Sequence, residues 1–457
     1  MPSNAAGPPD PCNVQGLIMR GYTHPFSCHM LFKFPGKAGA GTFVNTLLPY
    51  LQSAQDWGSN KPAKMLNIGL TYNGILAVDG TLAGQFSPTF MQGPVWADSQ
   101  TALQDNGASA PGNWWYRHFV TSDIHCVVHV YALTADALAS LVATVAQAAG
   151  GAGVTELFPL ADGSGRLEQY ELPDEKIYFG YRDGIDNPDL GWPSDPTKTQ
   201  PGDLNNFVIG YPGSAFGPGP TGGPAGSFAK DGCYNAFRIF YQDVQAFDRF
   251  LDDNAPAVAA ATGMPLPQAR GWLAAKLVGR WFNGSPLILS PDAPDPKTSG
   301  ATDFGYAGDL AGVRCPFSAH TRVANPRDEP VEIVDQPVPR LIRRGMPYGK
   351  PPAPPDYGGD RGLIGLFLCG ALAAQFELIY TWMNTNTFSP LFSPNFDTQD
   401  AVLANRATPN VDTSFTMPTA GQPIVIASLP QFLVTRGTAY CLLPSIATLR
   451  AIAGAVG

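Results

Sequence analysis

The chain is short of charge. Only 14% of its 457 residues are Asp, Glu, Lys or Arg, and the balance is acidic, with a net charge of −9. A surface that grips nucleic acid needs clustered basic residues against the phosphates, so that partner is not expected. Nor is an anionic membrane surface. Long apolar runs are missing too: the longest, 362–374, is too short to cross a bilayer. Seven cysteines stand singly at 12, 28, 126, 233, 315, 369 and 441, without a C-x-x-C pair. That scatter speaks for free thiols in a reducing compartment rather than a disulfide frame. The opening MPSNAAGPPDPC holds neither a basic nor an apolar leader region, so a cytoplasmic protein is expected, with secretion from a longer precursor left open.

What is present is glycine, 50 residues, and proline, 45. They predict long irregular loops. The length fits two domains or one large α+β unit. A Pro/Gly-rich tail over 1–11 is expected to be disordered. Periodicity predicts strands over 29–34, 65–72, 122–133, 207–211, 236–241 and 363–368. It predicts helices over 41–54, 134–149, 244–252, 270–282 and 371–383. Proline-broken strands within 331–342, and a hairpin of 430–434 with 440–443 before a short closing helix, complete the reading. This mixed order of strand and helix indicates an α+β layout.

Histidine is scarce, six in all. His125 and His129 flank Cys126, but four residues along a strand span about 13 Å, too far to share one ion. They read as sheet histidines. His320 is different. It ends the run Cys315-Pro316-Phe317-Ser318-Ala319-His320 and is followed by Asn325-Pro326-Arg327 and by Arg343-Arg344-Gly345-Met346-Pro347-Tyr348-Gly349. Neutral imidazole is the commonest metal ligand, and haem iron is often held by one His. Nearby arginines suit an anionic partner, such as haem propionates, or polarise a bound oxidant. A lone loop histidine is more often simply hydrogen-bonded in place, so other residues must decide. The second notable stretch is Gly180-Tyr181-Arg182-Asp183-Gly184, continued by Ile185-Asp186-Asn187-Pro188. Glycines let backbone approach a flat ligand, and a carboxylate there can serve as general acid or base. Alone, Asp-Gly is an ordinary turn.

Taken together, these stretches resemble the dye-decolorizing peroxidases, a family of haem peroxidases. Gly180–Gly184 matches that family's Gly-x-x-Asp-Gly motif. Cys315–His320, Asn325–Arg327 and Arg343–Gly349 match its segment of proximal His and distal Arg. Further matches follow in order over nearly the whole chain: Asn13–Gly16, Leu70–Gly74, Phe207–Tyr211, Leu277–Trp281 with Gly284–Leu287, Arg361–Leu363 and Gln375–Glu377.

The resemblance implies an α+β protein of two ferredoxin-like domains, 12–172 and 173–457, with haem b in the second. It implies His320 as the axial iron ligand, Asp183 as distal acid and base, and Arg343 as the charge that assists O–O heterolysis. Gly184, Ile185 and Leu363 would border the haem, Arg327 would meet a propionate, and Arg344 would be structural. Asp400, in Asp400-Ala401-Val402-Leu403-Ala404-Asn405-Arg406, would accept from the other nitrogen of His320. The partners implied are H2O2 and small aromatic reductants, dyes or phenols; a homo-oligomer is left open. A haem-binding or haem-delivery protein with incidental peroxidase activity is the alternative, and the joint presence of Asp183 and Arg343 favours the enzyme. Acid–base work by a carboxylate predicts best turnover at acidic pH. One position departs from the family: Gly365 stands where a Phe is usual. The distal pocket is then expected to be wider, unless Phe367, on the same side of the strand, fills the space.

Overall fold

Strand alternation sets up two cores. In β1 (Phe26–Lys33) Cys28, Met30 and Phe32 face one core, while Leu31 faces the other. The structure is a computed structural model that describes residues 9–159, 165–188, 190, 201–217, 219–331, 337–352, 357–386 and 398–454. β1 pairs with β3 (Cys126–Ala132), and β3 with β2 (Lys64–Leu70). β5 (Leu167–Tyr170) and the short β4 (Thr155–Leu157) share the other edge of β1. The second half repeats this plan. β6 (Cys233–Gln242), β7 (Ile342–Tyr348), β8 (Gly362–Cys369) and β11 (Leu433–Leu443) lie in the order β11-β6-β8-β7. In both halves the last strand lies beside the first, and the third flanks the first on its other side. A two-stranded ribbon, β9 (Phe415–Met417) with β10 (Ile424–Ile426), stands apart.

Single pairs, Leu70 with Leu442 and Gln169 with Tyr348, join the halves at both edges. The antiparallel sheet thus closes into a ring, which removes the exposed edges that invite aggregation. Its interior holds Tyr131, Phe237, Ile364, Leu366 and Cys441. It also holds a polar string. An amide NH2 only donates, so Asn235 Nδ2, 3.4 Å from His129 Nε2, fixes that nitrogen as the acceptor. His129 Nδ1–H then donates to His29 Nδ1 at 2.9 Å, and His29 Nε2–H donates to Gln169 Oε1 at 2.6 Å. His29 and His129 are register partners on β1 and β3. Both rings are buried and neutral, so His129 is indeed a sheet histidine. Among the described residues no His/Cys/Asp/Glu group is arranged to hold a metal ion.

Helices cover the outer face. Ala135–Gly151 starts where Thr134 accepts from Ala137 N–H and buries Leu138, Leu141, Val142 and Val145, the spacing of one helical stripe. Val244–Thr262 is capped by Asp243 and stopped by Gly263 at φ +74°. No helix among the described residues is long and apolar enough to cross a membrane.

Several expectations need correction. Residues 207–211 form a turn, not a strand, because Gly210 takes φ +99° and breaks the extended run. The expected terminal hairpin is one strand, β11, with a bulge between Thr435 and Gly437 where the sequence suggested a turn. Within 331–342 residues 332–336 lie outside the described set, and the strand begins only at Ile342. It runs on through Gly345 and Pro347, because pairing with β8 over its whole length overrides two poor strand formers. The helix expected over 371–383 opens with a wide π turn, Leu372–Glu377, before Leu378–Thr385. Of the tail, residues 1–8 lie outside the described set, and Asp10 already closes a turn onto Asn13 and Val14.

Candidate active site

His320 opens a helix of only five residues, so little in the helix itself fixes its direction. Its neighbours do. Ala401 N–H donates to Ser318 O at 2.9 Å, and Ser318 Oγ donates to Thr398 Oγ1 at 2.8 Å, stitching the His320 loop to the 398–403 segment. That stitching brings Asp400 under the ring: His320 Nδ1 donates to Asp400 Oδ2 at 2.7 Å. The other Asp400 oxygen accepts from Val402 and Leu403 N–H at 2.9 and 2.8 Å. Burial works against a charged His320, but the charge and hydrogen bond of Asp400 outweigh it and raise its pKa. Burial likewise opposes the Asp400 charge, and His320 with the two N–H donors holds its pKa low. Nδ1 is engaged, and Nε2 makes no hydrogen bond among the described residues.

A second anchor lies two residues on. Arg322 is fully buried and donates to Asp309 and Glu329, both buried, and to Cys315 O. Lys276 Nζ donates to Val313 O and Arg314 O at 2.8 and 2.6 Å, holding the same loop from beneath.

His320 faces a cavity that encloses about 230 Å³ open to the centre of a water molecule. All of its lining residues lie between 177 and 433, and most are apolar, among them Ile177, Phe179, Phe240, Leu363, Ile379 and Met383. Asp183 and Arg343 border the same cavity. Gly180 and Gly184, at φ +88° and +76°, bend the 180–187 loop in a way other residues resist. The bent loop turns its carbonyls inward: Arg343 donates to Ile185 O and Asp186 O, and its own N–H to Asn187 Oδ1 at 2.7 Å. Two stretches about 160 residues apart are thereby locked together. The Asp183 carboxylate makes no hydrogen bond among the described residues and lies open to the cavity.

Comparison with known proteins supports what this geometry suggests. No protein-family profile matches the chain. A dye-decolorizing peroxidase of Exidia glandulosa is 29% identical over 425 residues, covering 86% of this chain and 76% of the relative. The multifunctional dye peroxidase of an Amycolatopsis species is 25% identical and covers 96% of this chain and 95% of its own. The crystal structure of a decolorizing peroxidase from Auricularia auricula-judae superposes with a TM-score of 0.80 at 25% identity, over 98% of this chain and 99% of that one. The chain belongs to the dye-decolorizing peroxidase family. It is a peroxidase of that type, and the α+β fold is the one its relatives share.

Of the residues singled out in the peroxidase sequence, His320, Asp183, Arg343, Ile185 and Leu363 all border one cavity. Asp400 sits directly behind His320. Gly184 is off the wall, and what it contributes there is its backbone angle. Arg327 is off the wall too. It donates to Asp186 Oδ2 at 2.6 Å, to Thr302 O and Phe304 O, and lies 3.9 Å over the Phe304 ring. Arg344 points the other way, into the ring of strands, and donates to Leu17 O and Ile18 O. The sequence reading missed Asp186, which gathers Arg327, Arg340 and Asn325 at 2.6, 3.1 and 3.1 Å. It also missed Arg280 and Arg340, which with Arg182 make part of the wall cationic. None carries a spacing signal, since their partners come from distant parts of the chain. Gly365 is on the wall, but the space above it is taken: a Cβ there would lie 2.6 Å from the ring of Phe367. The expected widening at Gly365 is therefore offset by its neighbour.

Proposed function

We propose that this peroxidase binds haem b in the His320 cavity and uses H2O2 to oxidise small electron-rich phenols and dyes. The observation that carries the reading is one imidazole, backed by a buried carboxylate, that shares an apolar cavity with a guanidinium and with a carboxylate that makes no hydrogen bond among the described residues. The residues fit the group. Flat apolar walls suit a porphyrin, free Nε2 of His320 suits iron, and Arg182, Arg280 and Arg340 suit the two propionates. Arg327 then acts at one remove, by holding Asp186. The repeated strand order of the two halves supports a reading as two ferredoxin-like units, 12–172 and 173–457. The wall comes wholly from the second unit.

Haem, once held by His320, would supply the redox centre for the two-electron reduction of peroxide. The chain's own groups handle protons and charge. Asp183 receives the proton of the attacking H2O2 and returns it to the departing oxygen, which leaves as water. Arg343 offsets the negative charge that builds on the breaking O–O bond. Asp400 keeps the His320 proton on Nδ1, and so keeps Nε2 a strong donor. Two phenols then give one electron and one proton each, so that H2O2 and two ArOH yield two ArO radicals and two waters. A structural relative holds 2,6-dimethoxyphenol, a reductant of this class.

The test is optical. The purified protein should show a Soret band that shifts within milliseconds of adding H2O2. Asp183→Asn should keep the band and slow the shift by about 10²–10⁴-fold. A Soret band with no peroxide-driven shift in the parent would leave only haem binding. Parent-like rates in Asp183→Asn would remove Asp183 from the mechanism.

A further inference from the structure

Strands β7 and β8 present alternate side chains to the cavity in matched rows. Arg343 stands opposite Phe367, and one row along Gly345 stands opposite Gly365. All four border the cavity. Side chains on one face of paired strands touch across the row and along the diagonal. Two facing glycines therefore leave a hollow in this wall, on the diagonal from Phe367. The ring lies over its Gly365 side. A Cβ on Gly365 would fall 2.6 Å from ring Cε2 and 2.8 Å from Cζ, far inside the 3.5–4.0 Å at which carbon atoms rest. Gly365 is not among the residues of positive φ, so its backbone does not require glycine. The ring does. Phe376, with its centroid 5.6 Å away and off the wall, backs it, and Phe240 flanks it at 6.4 Å.

We infer that Phe367, seated in the Gly345–Gly365 hollow, is the residue that sets how large a ligand or reductant fits beside Arg343. Seated, the ring leans toward Gly365 and leaves the space next to the guanidinium open. Unseated, it has the cavity to enter, because the buried Phe376, which is not on the wall, closes the other side. The glycine pair is thus a socket, and the socket makes room for aromatic molecules of one-ring size. This rests on the reading that Arg343 marks the peroxide side of the cavity.

The experiment uses ferric holoenzyme and two probes, imidazole for a one-ring ligand and cyanide for a ligand of peroxide size. Both are titrated optically against the parent, Gly365→Ala, Phe367→Ala and the double variant. Gly365→Ala puts a methyl in the socket, unseats the ring and should weaken imidazole about tenfold or more. Cyanide should stay within about twofold. In the Phe367→Ala background no ring remains to unseat, so adding Gly365→Ala should leave imidazole affinity unchanged. Parent affinity for imidazole in Gly365→Ala, or an equal loss with and without Phe367, overturns the assignment. Equal weakening of cyanide and imidazole overturns it too. A chain that takes up no haem would instead refute the peroxidase reading. The seating itself is then decided on the haem-free protein: Gly365→Ala should lower Tm when Phe367 is present and not when it is Ala, and an equal fall in both backgrounds rejects the socket.

Discussion

Asparagine at position 400 keeps the shape of aspartate and loses one accepting atom. Asp400 is fully buried and takes three N–H donors, His320 Nδ1 on one oxygen and Val402 and Leu403 on the other. A side-chain amide accepts on one side and donates on the other. If its oxygen keeps to His320, its NH2 confronts two backbone N–H groups. Each buried donor left unpaired costs about 1–3 kcal/mol. If its oxygen keeps to Val402 and Leu403, the amide donates to Nδ1 of His320. Only one charge-assisted bond is then lost, about 1.5–3 kcal/mol, so this arrangement wins. It moves the ring proton to Nε2, and a protonated nitrogen does not bind iron. Asp400→Asn should therefore lower haem affinity by about 10–100-fold and destabilise the haem-free chain by about 2 kcal/mol. A pH signature separates this from simple loosening. In the haem-free parent, burial lowers the His320 pKa, but Asp400 raises it further and the net shift is upward. Such a group gives its full stability below the unfolded value, about 6.5, and loses it as pH rises through the folded pKa. Urea unfolding of the haem-free parent should weaken across that window, and Asp400→Asn should lack the slope. Haem titration by quenching of tryptophan fluorescence gives the affinity. Parent haem affinity together with a parent-like pH slope would refute the reasoning.

Other outcomes follow from buried charge. Burial holds the His29 pKa down at about 4, so its neutral form stabilises the fold above pH 6.5 and that contribution fades as pH falls toward 4. The loss is on the order of 3 kcal/mol at full protonation, and urea midpoints measured from pH 7 to pH 3.5 should show it; a flat profile would count against the polar string. Arg322→Met leaves Asp309 and Glu329 buried without their cation and should cost about 3–5 kcal/mol. Adding Glu329→Gln should recover part of that loss by the same urea assay, and a purely additive double variant would argue against the ion-pair account. Arg343→Leu should slow the peroxide-driven Soret shift while leaving the band in place; stopped-flow traces that match the parent would remove its charge from O–O cleavage.

What the sequence made legible was local chemistry. His320 stood out because histidine is scarce and its frame is dense in turn formers and arginine. Asp183 stood out because two glycines bracket it, and both proved to hold positive φ. Strands with alternation or a β-branched run, such as β1 and β3, were found within a few residues. What stayed hidden was whatever depends on long closure. β7 contains Gly345 and Pro347, and no local rule makes Ile342–Tyr348 a strand; β8 does. Asp186 looked like one more turn residue until folding brought Arg327, Arg340 and Asn325 to it over about 140 residues or more.

Gly365 shows the same limit from the other direction. A glycine on a cavity wall reads as missing volume, and by its own row it is. The volume is restored from two residues along the same strand, by the ring of Phe367, while Gly345 faces Gly365 from the neighbouring strand. Nothing in the run Leu363-Ile364-Gly365-Leu366-Phe367 says that position 345, eighteen residues before it begins, must be small. A Cβ on Gly345 would lie 3.4 Å from the Gly365 Cα and 3.1 Å from Ile364 O, so the two glycines are tight against each other, and Gly365 is the one that meets the ring. The wall is therefore specified as a set of three, Gly345, Gly365 and Phe367. Changing any one alone changes the shape of the space beside Arg343, which is why the double variant, and not either single one, reads out the design of this pocket.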